Sequence, residues 1–147
     1  MMRRFERVKR IEEDIRLPER STKNSAGYDF YAIEDTDIIP AKFKPVLVKT
    51  GVKAEMMPNE FLMIANRSSN PKKGLILANG VGIVDSDYYG NPDNDGEIMF
   101  PFINIGNDTV EIRKGDKIGQ GIFMKYGVTD DDEADGERVG GFGSTGE

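Results

Sequence analysis

Cysteine and histidine are both absent from this chain. That excludes disulfides, thiol nucleophiles, zinc sites of the usual Cys/His type and imidazole acid–base chemistry together. A general base here must be a carboxylate, a lysine or a tyrosine. Long apolar runs are missing as well, and nothing approaches the length that crosses a bilayer. The opening Met1-Met2-Arg3-Arg4-Phe5-Glu6-Arg7 is not followed by the apolar stretch of a secretory signal, so a cytoplasmic protein is the expectation. Positive charge is in deficit too. Lys and Arg number 20 against 26 Asp and Glu, a net charge of −6, which argues against broad binding to nucleic acid or to anionic membranes.

What is present reads as β structure. At 147 residues the chain has the length of one domain with a sizeable core. Its apolar residues fall in short runs of period two at 46–48, 61–64, 75–77, 81–84, 98–105 and 118–124. Gly, Pro, Asn and Asp break these runs at close to regular intervals, the pattern of an all-β sandwich or barrel. The best helical candidate, residues 11–17, is short and ends at Pro18. The run 98–105 is apolar on both faces. It suits a central strand, or a strand with one face in the sandwich and the other against a neighbouring subunit. Pro101 favours an edge or bulge. After Gly127 the chain turns acidic, through Asp130-Asp131-Asp132-Glu133-Ala134-Asp135. We therefore expect a β domain over 1–127, then a solvated acidic tether and a glycine-rich arm over 128–147.

Five segments carry chemistry. Ser25-Ala26-Gly27-Tyr28-Asp29-Phe30 sets a carboxylate among aromatics at a strand start; by itself this fits a turn aspartate making local hydrogen bonds. Asn66-Arg67-Ser68-Ser69-Asn70-Pro71-Lys72-Lys73-Gly74 offers a guanidinium, hydroxyls and backbone N–H groups, either a polar turn or an anion nest. Asn79-Gly80 reads as a hairpin turn opening an apolar strand that ends in Asp85-Ser86-Asp87-Tyr88-Tyr89. Asp85 there is a structural acceptor or a base orienting a water, and the lack of histidine adds weight to the second. Gln120 runs in phase with Ile118 and Ile122, as a buried amide tied to backbone or as a phosphate contact. The arm Arg138-Val139-Gly140-Gly141-Phe142-Gly143-Ser144-Thr145-Gly146 has nothing a core can use and much that a phosphate can. Phe142 would be free to stack on a flat ring such as a base.

Together, over residues 3–147, the five segments resemble the trimeric dUTPase family (deoxyuridine 5′-triphosphate nucleotidohydrolases) of bacterial or phage type, in family order. The resemblance implies an all-β, jelly-roll-like fold and a homotrimer with shared active sites. It implies hydrolysis of dUTP to dUMP and pyrophosphate, keeping uracil out of DNA and supplying dUMP for dTMP synthesis. Asp85 would activate the water that attacks the α-phosphorus. Tyr88 would pack under the deoxyribose and exclude a 2′-hydroxyl. Asn79, with the backbone through Ile83 and Val84, would read uracil. Arg67, Ser68, Ser69 and Gln120 would bind phosphates. The arm of a further subunit would close the site, with Phe142 over uracil, Arg138, Ser144 and Thr145 on the outer phosphates, and Gly143 in the same substrate-binding stretch. Asp29 would support Mg²⁺ through water, the ion being held mainly by the triphosphate.

The chain departs from the family pattern in two places. Only Val139 separates Arg138 from its glycine pair, and the loop Asn91-Pro92-Asp93-Asn94-Asp95-Gly96 is longer than the commonest family turn. The alternatives are a dCTP deaminase-like enzyme, which would need a glutamate acid/base at the Asp85 segment, and a nucleotide-dependent sensor that presents a surface to a regulatory protein partner.

Overall fold

Short alternating runs separated by turns become strands in the computed structural model, which describes residues 3–41 and 44–141. In chain order these are β1 (Arg4–Arg7), β2 (Tyr28–Tyr31), β3 (Thr36–Ile38), β4 (Val46–Lys49), β5 (Val52–Glu55), β6 (Glu60–Ala65), β7 (Leu75–Leu77), β8 (Gly82–Asp85), β9 (Met99–Asn104), β10 (Val110–Ile112) and β11 (Lys117–Lys125). Single-turn 3₁₀ segments at Pro71–Lys73 and Ser86–Tyr88 are the only helical elements among the described residues. Residues 11–17 form neither helix nor strand. The fold is all-β and jelly-roll-like.

A four-stranded sheet in the order β2-β11-β6-β8 and a three-stranded sheet in the order β4-β9-β7 are joined by the pairs β1-β5 and β10-β3. Every strand pairing is antiparallel. The inward residues of both sheets meet in one core, with Phe30, Ile38, Leu62, Ile64, Leu75, Ile98, Phe100, Phe102 and Ile118 almost fully buried. Phe30 of β2 meets Phe100 of β9 with ring centroids 5.5 Å apart, bridging the sheets. Each such ring contributes about 1.5–3 kcal/mol of burial.

The structure corrects two expectations. Asn79-Gly80 is a turn but not a hairpin, because β7 belongs to the three-stranded sheet and β8 pairs with β6 in the other. The turn therefore carries the chain from one sheet to the other and leaves β8 at a sheet edge. Pro101 is not on an edge strand: β9 lies between β4 and β7. A residue's N–H and C=O face the same neighbouring strand, and the Pro101 carbonyl accepts the Ala78 N–H at 2.8 Å, just past the end of β7. The missing donor thus falls where the ladder already stops. Residues 98–102 are buried within this one chain, and exposure returns at Ile105.

Candidate active site

Strand β8 alternates between buried and exposed, so that Val84 points into the core (5 % exposed) while Ile83 stands out (57 %). Asp85 closes the strand with its side chain half exposed, and the next residues fold into the 3₁₀ turn Ser86–Tyr88. That turn swings Tyr88 back into the protein, where its ring is buried. The result is a cleft of about 230 Å³ lined by Asn79, Gly82, Ile83, Val84, Asp85, Tyr88 and Arg138, with Ile64 as its floor and Gly141 across it. As an edge strand, β8 offers this cleft main-chain groups that no neighbouring strand takes up.

The Tyr88 hydroxyl donates to the Glu97 carbonyl at 2.6 Å and accepts from Asn94 Nδ2 at 2.9 Å. Burial raises the phenol to about 12, with the Asn94 hydrogen bond opposing that shift. It is therefore neutral throughout the physiological range.

Arg138 reaches the carboxylates from above. Its Nη2 donates to Asp85 Oδ2 at 2.6 Å and its Nε to Asp87 Oδ1 at 2.7 Å. Three residues on, Gly141 lies against the Tyr88 ring so closely that a Cβ there would stand 2.7 Å from Cε1. Only glycine fits. Residues 138–141 of the arm thus lie against their own chain, while residues 129–137 of the acidic tether are exposed. Phe142, Gly143, Ser144 and Thr145 lie outside the described residues.

The expected phosphate ligands gather elsewhere. Gln120 of β11 is in register with Ala65 of β6 on one side and Asp29 of β2 on the other. Its amide donates to the Asn66 carbonyl at 3.1 Å. Asp29 faces Lys117 Nζ at 3.5 Å, and Arg67 Nη1 donates to the Lys117 carbonyl at 3.2 Å. Ser68 is exposed and Ser69 half-buried in the turn after β6. Arg67 and Lys117 line a second cleft of about 190 Å³ with Asn70 and Lys73, and that cleft shares no residue with the Asp85 cleft. One chain therefore brings Asp85, Tyr88, Asn79, Ile83, Val84 and Arg138 together and Arg67, Gln120 and Asp29 together, but does not join the two sets.

Sequence reasoning passed over the residues that hold both clefts. Asn66 donates to the Leu75 carbonyl at 3.0 Å, and buried Asn70 donates to Asn66 Oδ1 at 2.8 Å and to the Ile118 carbonyl at 2.9 Å. These amides stiffen the Arg67 turn; the Asn-Pro dipeptide at 70–71 was the available signal. Around Tyr88 the unflagged residues are Lys53, Asn94 and Glu97.

A family model described as dUTPase matches residues 13–146. The chain belongs to the dUTPase family. Over 135 residues it is 49 % identical to the deoxyuridine 5′-triphosphate nucleotidohydrolase of Lactococcus lactis subsp. lactis (strain IL1403), covering 90 % of this chain and 89 % of that one. The crystal structure of a dUTPase from Streptococcus mutans superposes with a TM-score of 0.81 at 42 % identity, over 86 % of this chain and 98 % of the other. A dUTPase from phage phi11 of S. aureus shares the fold at 19 % identity, with a TM-score of 0.73 over 98 % of this chain and 99 % of that one. No helix among the described residues is long and apolar enough to cross a membrane.

The Asp29 region fits the magnesium of a dUTPase only in a limited way. Among the described residues no three His, Cys, Asp or Glu side chains cluster as a metal cage, and Asp29 already faces a lysine. Such a donor set suits an ion carried in on a triphosphate, touched by the protein through water.

Proposed function

We propose that this chain is a cytoplasmic dUTP diphosphatase that hydrolyses dUTP to dUMP and pyrophosphate. The observation that carries the reading is the juxtaposition of a half-exposed carboxylate, Asp85, with a buried tyrosine, Tyr88, and an edge strand, β8, in one cleft. Asp85 takes a proton from water as that water attacks the α-phosphorus in line, and pyrophosphate leaves. A positioned base of this kind is worth about 10²–10⁴-fold.

Tyr88 forms the wall under the sugar, and its buried ring leaves no room for a 2′-hydroxyl. Asn79 and the free main-chain groups of β8 read the uracil edge. Cytosine replaces an acceptor by a donor and would leave buried groups unpaired. Mg²⁺ bound with the triphosphate would neutralise charge there, and Asp29 would support it through water. Because one chain keeps Arg67, Ser68, Ser69 and Gln120 apart from the Asp85 cleft, a neighbouring copy in a homotrimer supplies them. The arm closes over the assembled site, Arg138 exchanging its carboxylate partners for phosphate oxygens and Phe142 covering the base.

The test is pyrophosphate release with Mg²⁺ from dUTP, dCTP, dTTP and UTP in parallel. Release from dUTP alone is the expected result. Tight dUTP binding without release would instead indicate a sensor.

A further inference from the structure

The loop Asn91–Gly96 extends the turn after Tyr89 and is built around the Tyr88 phenol. Asn91 N–H donates to the Tyr88 carbonyl at 3.0 Å, Asp95 N–H to the Asn91 carbonyl at 2.8 Å, and Gly90 N–H to the Asp95 carbonyl at 3.2 Å. Asn94 sits at the centre. Its Oδ1 accepts from Gly96 N–H at 3.0 Å and from Asn91 Nδ2 at 3.2 Å, which leaves Nδ2 aimed at the Tyr88 hydroxyl, 2.9 Å away. Two consecutive left-handed residues give the loop this shape, Asp95 at φ 59° and Gly96 at φ 83°. A Cβ at Gly96 would lie 2.4 Å from the Tyr88 carbonyl oxygen.

A non-glycine residue in the left-handed region persists only where its surroundings hold it. Here they do. Asp95 Oδ1 and Oδ2 each accept from Lys53 Nζ at 2.9 Å, and Oδ2 also accepts Lys9 N–H at 2.8 Å. Lys53 belongs to β5 and is itself buried. The residue after Gly96 is anchored as firmly. The Glu97 carboxylate takes Arg10 Nε at 3.1 Å, Arg10 Nη2 at 2.6 Å and Gly51 N–H at 2.9 Å, while its carbonyl accepts the Tyr88 hydroxyl at 2.6 Å. The phenol oxygen is thus pinned from both sides by groups that are themselves tied to β5 and to the segments at residues 9–10 and 51.

Steric exclusion of a single hydroxyl is only as sharp as the wall is stiff. A misplacement of about 1 Å in a site of this kind is worth up to ~10²-fold in rate. We propose that Asn94 is a positioning residue that fixes the Tyr88 ring and so sets the discrimination between 2′-deoxyribonucleotide and ribonucleotide; this rests on the reading of Tyr88 as the wall under the sugar.

The experiment measures kcat and KM for dUTP and for UTP in the wild type, Asn94→Asp and Asn94→Ala, with melting temperatures alongside. Asn94→Asp keeps the acceptor that Gly96 and Asn91 use and turns the donor to Tyr88 into a carboxylate oxygen facing the phenol oxygen, so it carries the test even if Asn94→Ala fails to fold. The expected result is a fall of about tenfold in the dUTP-to-UTP ratio of kcat/KM, the worth of one hydrogen bond. Most of it should come from a lower KM for UTP, with kcat for dUTP unchanged. A ratio that stays at the wild-type value, or activity that falls equally on both substrates, overturns the role of Asn94 and leaves the reading of Tyr88 standing. A wild type that turns over UTP as well as dUTP overturns the reading of Tyr88, and the proposal with it.

Discussion

The two elements that meet at the Asp85 cleft are held by opposite means. The Tyr88 turn and the loop behind it are fixed by burial, by hydrogen bonds to main chain and by the Lys53–Asp95 pair, whose side chains are 7 % and 19 % exposed. Among the described residues the arm is held by Arg138 on two half-exposed carboxylates and by Gly141 against a ring. Solvent-exposed ion pairs are worth about 0–1 kcal/mol and weaken with salt, whereas a buried pair that loses one partner strands a charge at several times that value. One side of the cleft is therefore a fixed wall and the other a latch. On the proposed reading, recognition of base and sugar rests on the first, and entry and exit of substrate on the second.

The largest expected effect tests what the two elements share. Asp85→Asn should lower kcat by about 10²–10⁴-fold and leave the affinity for a non-hydrolysable dUTP analogue intact by calorimetry. An affinity loss of comparable size would make Asp85 a binding group and not the base. Next, removing residues 138–147 should cut kcat/KM by about 10²-fold yet move the melting temperature by no more than about 4 °C. A collapse in stability would mean that the arm is part of the wall.

Lys53→Met should do the reverse. It strands the Asp95 carboxylate, and because Asp95 retains some solvent contact the loss should be about 2–3 kcal/mol, read from urea unfolding. The smallest effect sharpens the comparison through pH. Burial raises the Tyr88 phenol to about 12, so the folded chain keeps that proton between pH 10 and pH 12 while the unfolded chain loses it. This contribution to stability is complete below pH 10 and disappears as pH rises towards 12, amounting to about 2 kcal/mol. Tyr88→Phe should flatten the wild-type slope in that window. Asp95 has the opposite sign. Burial works against its carboxylate, but Lys53 and the Lys9 N–H more than offset this and hold it below its usual range, so its share is present at neutral pH and fades only as acid protonates it.

Much of this was legible in the residues. The runs at 46–48, 61–64, 75–77 and 118–124 all lie in strands, because alternating apolar residues between turn signals leave few other solutions. Strand β1, Arg-Phe-Glu-Arg, escaped notice since charges flank its one apolar residue and only its pairing with β5 makes it a strand. Asn79-Gly80 announced a turn but not which sheets it joins, and that depends on contacts remote in sequence. Asp85 stood out as a carboxylate ending an apolar strand in a chain without histidine, and Tyr88 through the family resemblance. Asn94 could not, because its approach to Tyr88 follows from the left-handed pair at Asp95 and Gly96, and an Asp-Gly dipeptide alone reads as an ordinary turn.

Among the described residues the arm meets its own cleft through Arg138 on Asp85 and Asp87 and through Gly141 on Tyr88. The exposed stretch from Tyr126 to Glu137 that leads to them bears on the cleft mainly through the entropy of closing a loop. That entropy grows slowly: doubling such a tether costs about 0.6 kcal/mol. Its length is therefore free to drift by several residues in either direction with little consequence. The spacing from Arg138 to Gly141 has no such freedom, since a single inserted residue would pull either the arginine from its carboxylates or the glycine from its ring.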